Sequence, residues 1–146
     1  MKAVIFEEYG EPEVLKTKDI AKPTIGSKDI LVRVKVTAVM AADSRIRGAR
    51  FPRGFGLLAR MFFGITKPRV KILGSTYSGV VEKAGAYVTQ FHVGDEVCGM
   101  TGAQMGAYAE YIKVSDYKSI ALKPKNVSHD DAAGLLFGGT AALFYT

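Results

Sequence analysis

The chain has 146 residues, of which 48% are hydrophobic and 23% charged, and a formal net charge of +6. This length suffices for one domain with a hydrophobic core, and the composition is neither that of a disordered chain nor that of a membrane-embedded one. Cys98 is the single cysteine, which excludes an intrachain disulfide and a cysteine-rich zinc lobe. Glu7 and Glu8 follow the first apolar run too early for a signal-peptide core, so we expect a cytoplasmic location.

The positive charge is concentrated in one segment. Residues 44–71 contain eight Lys or Arg and no acid, whereas the rest of the chain has twelve Lys or Arg against fourteen Asp or Glu. Such a block can serve nucleic acid, a membrane surface or a phosphate-bearing cofactor, or it can be a solvated face beside the entrance for an anionic ligand. We favour the last interpretation and expect neither a nucleic-acid nor a membrane partner.

Short apolar runs between glycine turns predict a mainly β domain. Val32, Val34 and Val36 alternate with charged or polar residues, which is the period of a half-buried strand. Short strands with glycine turns at this spacing are typical of a barrel-like fold. Strands are predicted at 2–6, 15–20, 30–39, 78–82, 96–100, 107–114 and 120–122, and a short helix or turn at 43–48.

The pattern becomes helical at Ser128. Ser128 is a suitable N-cap, and acids follow in the first turn, where the helix dipole favours them. A second helical run is expected from Gly139, and the chain stops within it at Thr146 without a capping signal, so we expect a fragment of a longer protein. His92 and His129 have no partner at metal-ligand spacing and are expected on the surface.

An insert at residues 51–65 is rich in Phe and Leu. Phe55, Leu58 and Phe62 recur at helical spacing, which predicts a helix with one apolar face. Two interpretations are open: a helix packed on the barrel, or a hydrophobic lid over the substrate.

Five short motifs carry most of the functional information. They are K-V-T-A-V at 35–39, G-S-T-Y-S-G-V-V at 74–81, V-G-D-E-V at 93–97, G-A-Y-A-E-Y at 106–111 and G-T-A at 139–141. In this order and spacing they resemble the catalytic domain of the medium-chain dehydrogenase/reductase family. The resemblance implies a GroES-like, partly open β-barrel at 1–127, and at 128–146 the start of crossover helices to a missing Rossmann domain.

The positions that hold catalytic zinc in this family carry other residues here. The resemblance places Met40 at a ligating cysteine, Ser75 at a ligating histidine and Ala42 at the hydroxyl that relays the alcohol proton. Thioether and hydroxyl groups are not usual zinc ligands. The chain therefore resembles the zinc-independent quinone oxidoreductase and enoyl reductase-like branch, which implies NADPH, with NADH as the alternative, and no zinc.

The same resemblance supplies candidates for the cofactor site. Thr140 aligns with a threonine that approaches the nicotinamide. Met40 stands where this branch has an asparagine near the nicotinamide ribose, which leaves that one contact open.

Candidates for catalysis follow from the reaction. A quinone or enone that accepts hydride at carbon builds negative charge on oxygen, which a nearby cation or hydroxyl stabilises. Arg45, Tyr77 and Ser75 are the candidates, and Asp43 is expected to orient an arginine. For Tyr77 the alternative is a structural tyrosine whose hydroxyl is hydrogen-bonded within a turn. For Ser75 it is a hydroxyl that is hydrogen-bonded to its own backbone.

We interpret the chain as the catalytic domain of a zinc-independent, NADPH-dependent oxidoreductase that reduces quinones or α,β-unsaturated carbonyls. We expect homo-oligomers, and no activity from this domain alone. Two other interpretations stay open. One is a zinc-type alcohol dehydrogenase-like homologue that has lost activity and acts as a scaffold. The other is a basic nucleic-acid-binding module whose insert aromatics stack on bases, although their helical spacing fits burial better.

Overall fold

The structure is a computed structural model that describes residues 1–51, 54 and 56–145. Most of the elements are short antiparallel strands, which confirms the mainly β prediction. In chain order they are β1 (Lys2–Ile5), β2 (Lys16–Asp19), β3 (Asp29–Val36), α1 (Ala41–Arg47), α2 (Gly56–Phe63), β4 (Thr76–Ala84), β5 (Glu96–Met100), β6 (Tyr111–Ser115), β7 (Ile120–Leu122) and α3 (His129–Tyr145), with single 3₁₀ turns at Pro12–Val14 and Gly102–Gln104.

Two antiparallel sheets form an open barrel. Five strands lie in the order β6-β3-β4-β5-β7, and β1 pairs with β2 in a second sheet. Isolated bridges from Ala3 to Ala109 and from Ile5 to Ile72 attach β1 to the rest of the domain. The sheets do not merge into one closed cylinder, as the partly open GroES-like barrel requires.

The alternation that predicted β3 holds only in the second half of the strand. Arg33 and Lys35 are exposed while Val34 and Val36 are half-buried, but Ile30, Leu31 and Val32 are all buried. The pairing of β3 with β4 shifts register between Leu31 and Val32. Such a bulge turns the strand locally, so adjacent side chains can enter apolar surroundings.

Two apolar clusters stabilise the domain. One lies on the five-stranded sheet and contains Tyr77, Val81, Val97 and Ile112, among others. The second joins Phe6, Ile46, Leu73 and Met105, and therefore connects β1, α1 and the segment before β4. The position of α1 thus depends on the second cluster through Ile46.

The insert helix α2 confirms the predicted helix, and its residues differ in burial. Phe63 packs on the second cluster, and its ring stacks on Phe51 with centroids 6.0 Å apart. Leu58 and Phe62 are instead 63% and 62% exposed, so the helix face that contains them points away from the barrel. Phe55, which belonged to the predicted pattern, lies outside the described residues.

The second helix predicted from Gly139 is wrong, because α3 continues through Gly138 and Gly139 as one helix. No helix in the described ranges is long and apolar enough to cross a membrane.

The strand predicted at 107–114 begins only at Tyr111. The residues before Tyr111 form hydrogen bonds with β1 outside the regular strand pairing. For example, Val4 N–H donates to Tyr108 O at 2.8 Å.

Candidate functional site

The carboxylate of Asp43 organises the candidate site. Asp43 lies in the first turn of α1 and is 3% exposed. Its Oδ2 accepts hydrogen bonds from Met40 N–H at 2.9 Å and from the Tyr108 hydroxyl at 2.9 Å, while Oδ1 accepts from Gly74 N–H at 3.1 Å. A buried carboxylate needs such donors in place of water, so these bonds fix α1, the Gly74 turn and the Tyr108 loop relative to one another.

These donors show which groups Asp43 contacts directly, and its orientation of an arginine stays a prediction. The carboxylate was expected to orient an arginine, but the hydrogen bonds found for it come from two backbone amides and a phenol. Asp43 therefore positions backbone segments, and its influence on the site acts through them.

Tyr108 belongs to the candidate site through its hydrogen bond to Asp43, although the sequence did not single it out. The motif at 106–111 pointed to this segment, but only the structure brings the phenol to Asp43. Burial, and then the hydrogen bond to Asp43, raise the pKa of Tyr108, so the phenol stays a neutral donor. Gly74 has a φ of +90°, and a Cβ there would lie 2.5 Å from the Tyr108 ring, which accounts for the glycine.

A cavity of about 390 Å³ lies between the N-terminal part of α1 and α3. It brings the predicted residues Met40 and Arg45 together with Phe137, which comes from α3. Arg45 is exposed and accessible to a ligand, whereas Met40 and Phe137 supply apolar surfaces. We refer to this space as the α1–α3 cleft; Ala41 and Ala42 complete its lining.

Thr140 lies one helical turn beyond Phe137 and is exposed. Its hydroxyl donates to the Leu136 carbonyl within α3. The hydroxyl proton is therefore used inside the helix, and the oxygen lone pairs are left to accept from a ligand.

Ser75 and Tyr77 do not line the α1–α3 cleft. Ser75 is 7% exposed, and its carbonyl accepts from Thr101 N–H at 2.7 Å. Tyr77 is fully buried in the core of the large sheet, where burial raises its pKa, and its hydroxyl has no hydrogen-bond partner among the described residues. Catalytic roles for these two residues stay predictions that their placement does not support.

The residues at the predicted metal positions do not suit zinc. Met40 and the Gly74–Ser75 turn meet at Asp43, so the family's ligand positions are close in space. They offer a thioether and a hydroxyl, and both oxygens of Asp43 already accept hydrogen bonds. Among the described residues, no group of three or more His, Cys, Asp or Glu side chains could hold a metal ion.

His129 is not the isolated surface residue that the sequence predicted. Its Nδ1 lies 2.7 Å from Ser78 Oγ and its Nε2 lies 3.1 Å from Glu96 Oε1. Ser78 and Glu96 are far away in sequence, so no local spacing could reveal this cluster. His92, with a side chain 79% exposed, does lie on the surface.

Part of the basic segment is structural. Arg47 Nε donates to Gly10 O at 3.2 Å, and Arg50 forms an ion pair with Glu11. Arg53, a further member, lies outside the described residues. The paired arginines join α1 to the segment before β2.

Comparison with known proteins identifies this architecture. The family described as alcohol dehydrogenase GroES-like domain matches residues 26–125. The chain is 32% identical over 143 residues to an NADPH-dependent alkenal/one oxidoreductase of Arabidopsis thaliana chloroplasts, covering 92% of this chain and 34% of that protein. It is 31% identical over 138 residues to a quinone oxidoreductase of Pseudomonas aeruginosa, covering 94% and 38%. The quinone oxidoreductase structure from Coxiella burnetii aligns with a TM-score of 0.83 at 29% identity, over 99% of this chain and 43% of that one.

The open barrel with its Asp43-centred turn is thus a GroES-like domain. The chain belongs to the medium-chain dehydrogenase/reductase family, and its relatives there include quinone and alkenal oxidoreductases. It spans 34–38% of the length of these two curated relatives.

Replacing Asp43 by Asn tests the central hydrogen bonds. The Asn amide would turn an NH₂ group toward donors that Asp43 now accepts from, so at least one donor would be left unpaired. Hydrogen bonds to charged groups contribute about 1.5–3 kcal/mol each, and we expect Asp43→Asn to lower the free energy of unfolding by about 2–3 kcal/mol in urea denaturation. The exposed Asp19 is the matched control. Equal stability of Asp43→Asn and Asp19→Asn would contradict the role assigned to Asp43.

Proposed function

We propose that this chain is the catalytic part of an NADPH-dependent oxidoreductase that reduces quinones or α,β-unsaturated carbonyls without zinc. Residues 1–127 would be the GroES-like catalytic domain, and 128–146 the start of the crossover to a nucleotide-binding domain. The α1–α3 cleft carries the proposal, because it combines one exposed cation with apolar walls. The similarity to alkenal/one and quinone oxidoreductases supports the choice of substrates.

The residues beside the cleft fit a nicotinamide. Met40 and Phe137 offer apolar surfaces for an aromatic ring, and the Thr140 oxygen can accept from a carboxamide. When bound, the cofactor supplies the hydride. The name of the Arabidopsis relative favours NADPH, with NADH as the alternative.

Arg45 is the proposed catalytic residue of the cleft. Its charge would stabilise the negative charge that develops on the substrate oxygen as hydride reaches carbon. Met40 and Phe137 are the apolar neighbours of Arg45 in the cleft and would contact the ring of a bound nicotinamide or substrate.

Asp43 would act as a positioning residue for Arg45. It stands two residues earlier on α1 and holds the first turn of that helix through Met40 N–H. Its bonds to Gly74 and Tyr108 keep the helix from turning away from the barrel. The cation is thereby presented to the cleft by a rigid element.

We also propose homo-oligomerisation and a cytoplasmic location, as the sequence predicted. Leu135, Leu143, Phe144 and Tyr145 of α3 are 64–86% exposed, and apolar surface of this extent favours association. Light scattering of the 146-residue chain at rising concentration should show species larger than a monomer. A strictly monomeric chain at every concentration would contradict this part of the proposal.

Substitutions at Arg45 and Thr140 test the assigned roles in the full-length protein. Arg45→Ala should lower kcat for an enone more than it raises the Kd of NADPH, because the charge acts mainly in the transition state. Thr140→Val removes one hydrogen bond of about 1 kcal/mol and should weaken NADPH binding roughly fivefold. Steady-state kinetics and fluorescence titration with NADPH measure the two effects.

Arg60 supplies the control, since it is exposed on α2 and outside the α1–α3 cleft. Arg60→Ala removes the same charge and should leave both constants unchanged. Wild-type kinetics in Arg45→Ala and Thr140→Val would remove these residues from the site. Absence of NADPH-dependent reduction of any quinone or enone by the wild-type protein would overturn the proposed function itself.

Zinc independence has a separate test. Because Met40 and Ser75 offer no thiolate or imidazole, we expect elemental analysis of the untagged protein to find well below one zinc per chain. We also expect reduction to continue after dialysis against a chelator. Stoichiometric zinc that is lost on chelation together with activity would contradict the metal-free mechanism.

A further inference from the structure

A second polar cluster joins the start of α3 to the barrel. Ser78 on β4 is fully buried, Glu96 begins β5, and His129 is the first residue of α3. The imidazole bridges the other two, with Nδ1 2.7 Å from Ser78 Oγ and Nε2 3.1 Å from Glu96 Oε1. Lys123 completes the cluster, with Nζ 3.2 Å from Glu96 Oε2.

The protons of this cluster can be assigned from its acceptors. An ionised Glu96 only accepts, so His129 Nε2 must carry a proton. The hydrogen bond from Lys123, followed by that from His129, keeps the pKa of Glu96 below its usual value. In neutral His129, Nδ1 accepts a hydrogen bond from the Ser78 hydroxyl. In the imidazolium, Nδ1 donates to Ser78, which then donates to Val97 O at 3.2 Å. The cluster is hydrogen-bonded in both states.

A Ser–His–carboxylate chain also suggests a hydrolytic triad, but burial argues against that use here. Ser78 has no exposed surface and pairs with Cys98 across β4 and β5. An acyl substrate would have to open the sheet to meet its hydroxyl. The cluster is better suited to holding α3 than to attacking a substrate.

Helix α3 connects this cluster with the α1–α3 cleft, because it begins at His129 and contributes Phe137 to the cleft. Ala132 and Ala133 are buried and Leu136 is half-buried, so His129 begins the stripe by which α3 contacts the barrel. Thr140 lies eleven residues after His129, which is about three helical turns and about 16 Å further on the same face. A displacement or rotation at His129 would therefore move Thr140, and Phe137 with it.

We propose that His129 is a positioning residue whose contacts with Ser78 and Glu96 set where α3 presents Phe137 and Thr140 to the cofactor. The effect on catalysis rests on the proposed function. The anchoring of the helix does not, and it is measurable in this chain alone.

Hydrogen exchange of the α3 amides in the 146-residue chain tests the anchoring. His129→Ala should accelerate exchange in the first half of α3 at least tenfold. Alanine is a better helix former than histidine, so faster exchange could not come from intrinsic propensity. Ser78→Ala, which removes a single oxygen, should act in the same direction. The exposed histidine gives the control, since His92→Ala should leave α3 unchanged.

Kinetics of the full-length protein then test positioning. His129→Ala should raise the KM for NADPH about tenfold and the KM for an enone less than twofold. His129→Asn keeps a hydrogen-bonding group near the place of Nδ1 and should restore part of the loss. Unchanged exchange in both His129→Ala and Ser78→Ala would overturn the anchoring, whether or not the wild type is active. Faster exchange with an unchanged KM for NADPH in an active enzyme would overturn the positioning role.

Discussion

The site depends on one buried carboxylate that has to be hydrogen-bonded. An unpaired charge at the position of Asp43 would cost several kcal/mol, and the structure meets it with donors from three separate segments. Met40, Gly74 and Tyr108 are thereby brought to one point, although they are distant in sequence. The glycine at position 74, with its positive φ, and the neutral phenol of Tyr108 both belong to this arrangement. Helix α1, and with it Arg45, takes its place from the same bonds.

Helix α3, the second wall of the α1–α3 cleft, is held in place independently of α1. α1 is held by Asp43, whereas α3 is held by the contacts of His129 with Ser78 and Glu96. A reaction in which the cofactor supplies the hydride requires of the protein mainly placement, exclusion of water and a charge for the developing oxyanion. Two rigid walls with one arginine between them can meet these requirements without a metal.

Local patterns in the sequence predicted the local features of the structure. The strands at Glu96–Met100 and Ile120–Leu122 have the predicted bounds, because glycine turns and Pro124 mark their ends. Contacts across the fold were not predictable in this way. Apart from Met40, the partners of Asp43 and His129 are 31 or more residues away in the chain, and local residue spacing cannot predict contacts at that separation. The outward apolar face of α2 shows the same limit, since periodicity marks a face but not what that face meets.

The destination of the hydride is the most direct test of the account. The full-length protein would be supplied with NADPH that carries deuterium at the transferable C4 position, together with an α,β-unsaturated ketone. The account predicts a saturated ketone with one deuterium on the carbon β to the carbonyl, formed by protein that contains no stoichiometric zinc. Deuterium on the carbonyl carbon, with an allylic alcohol as the product, would contradict it and would indicate alcohol dehydrogenase chemistry instead.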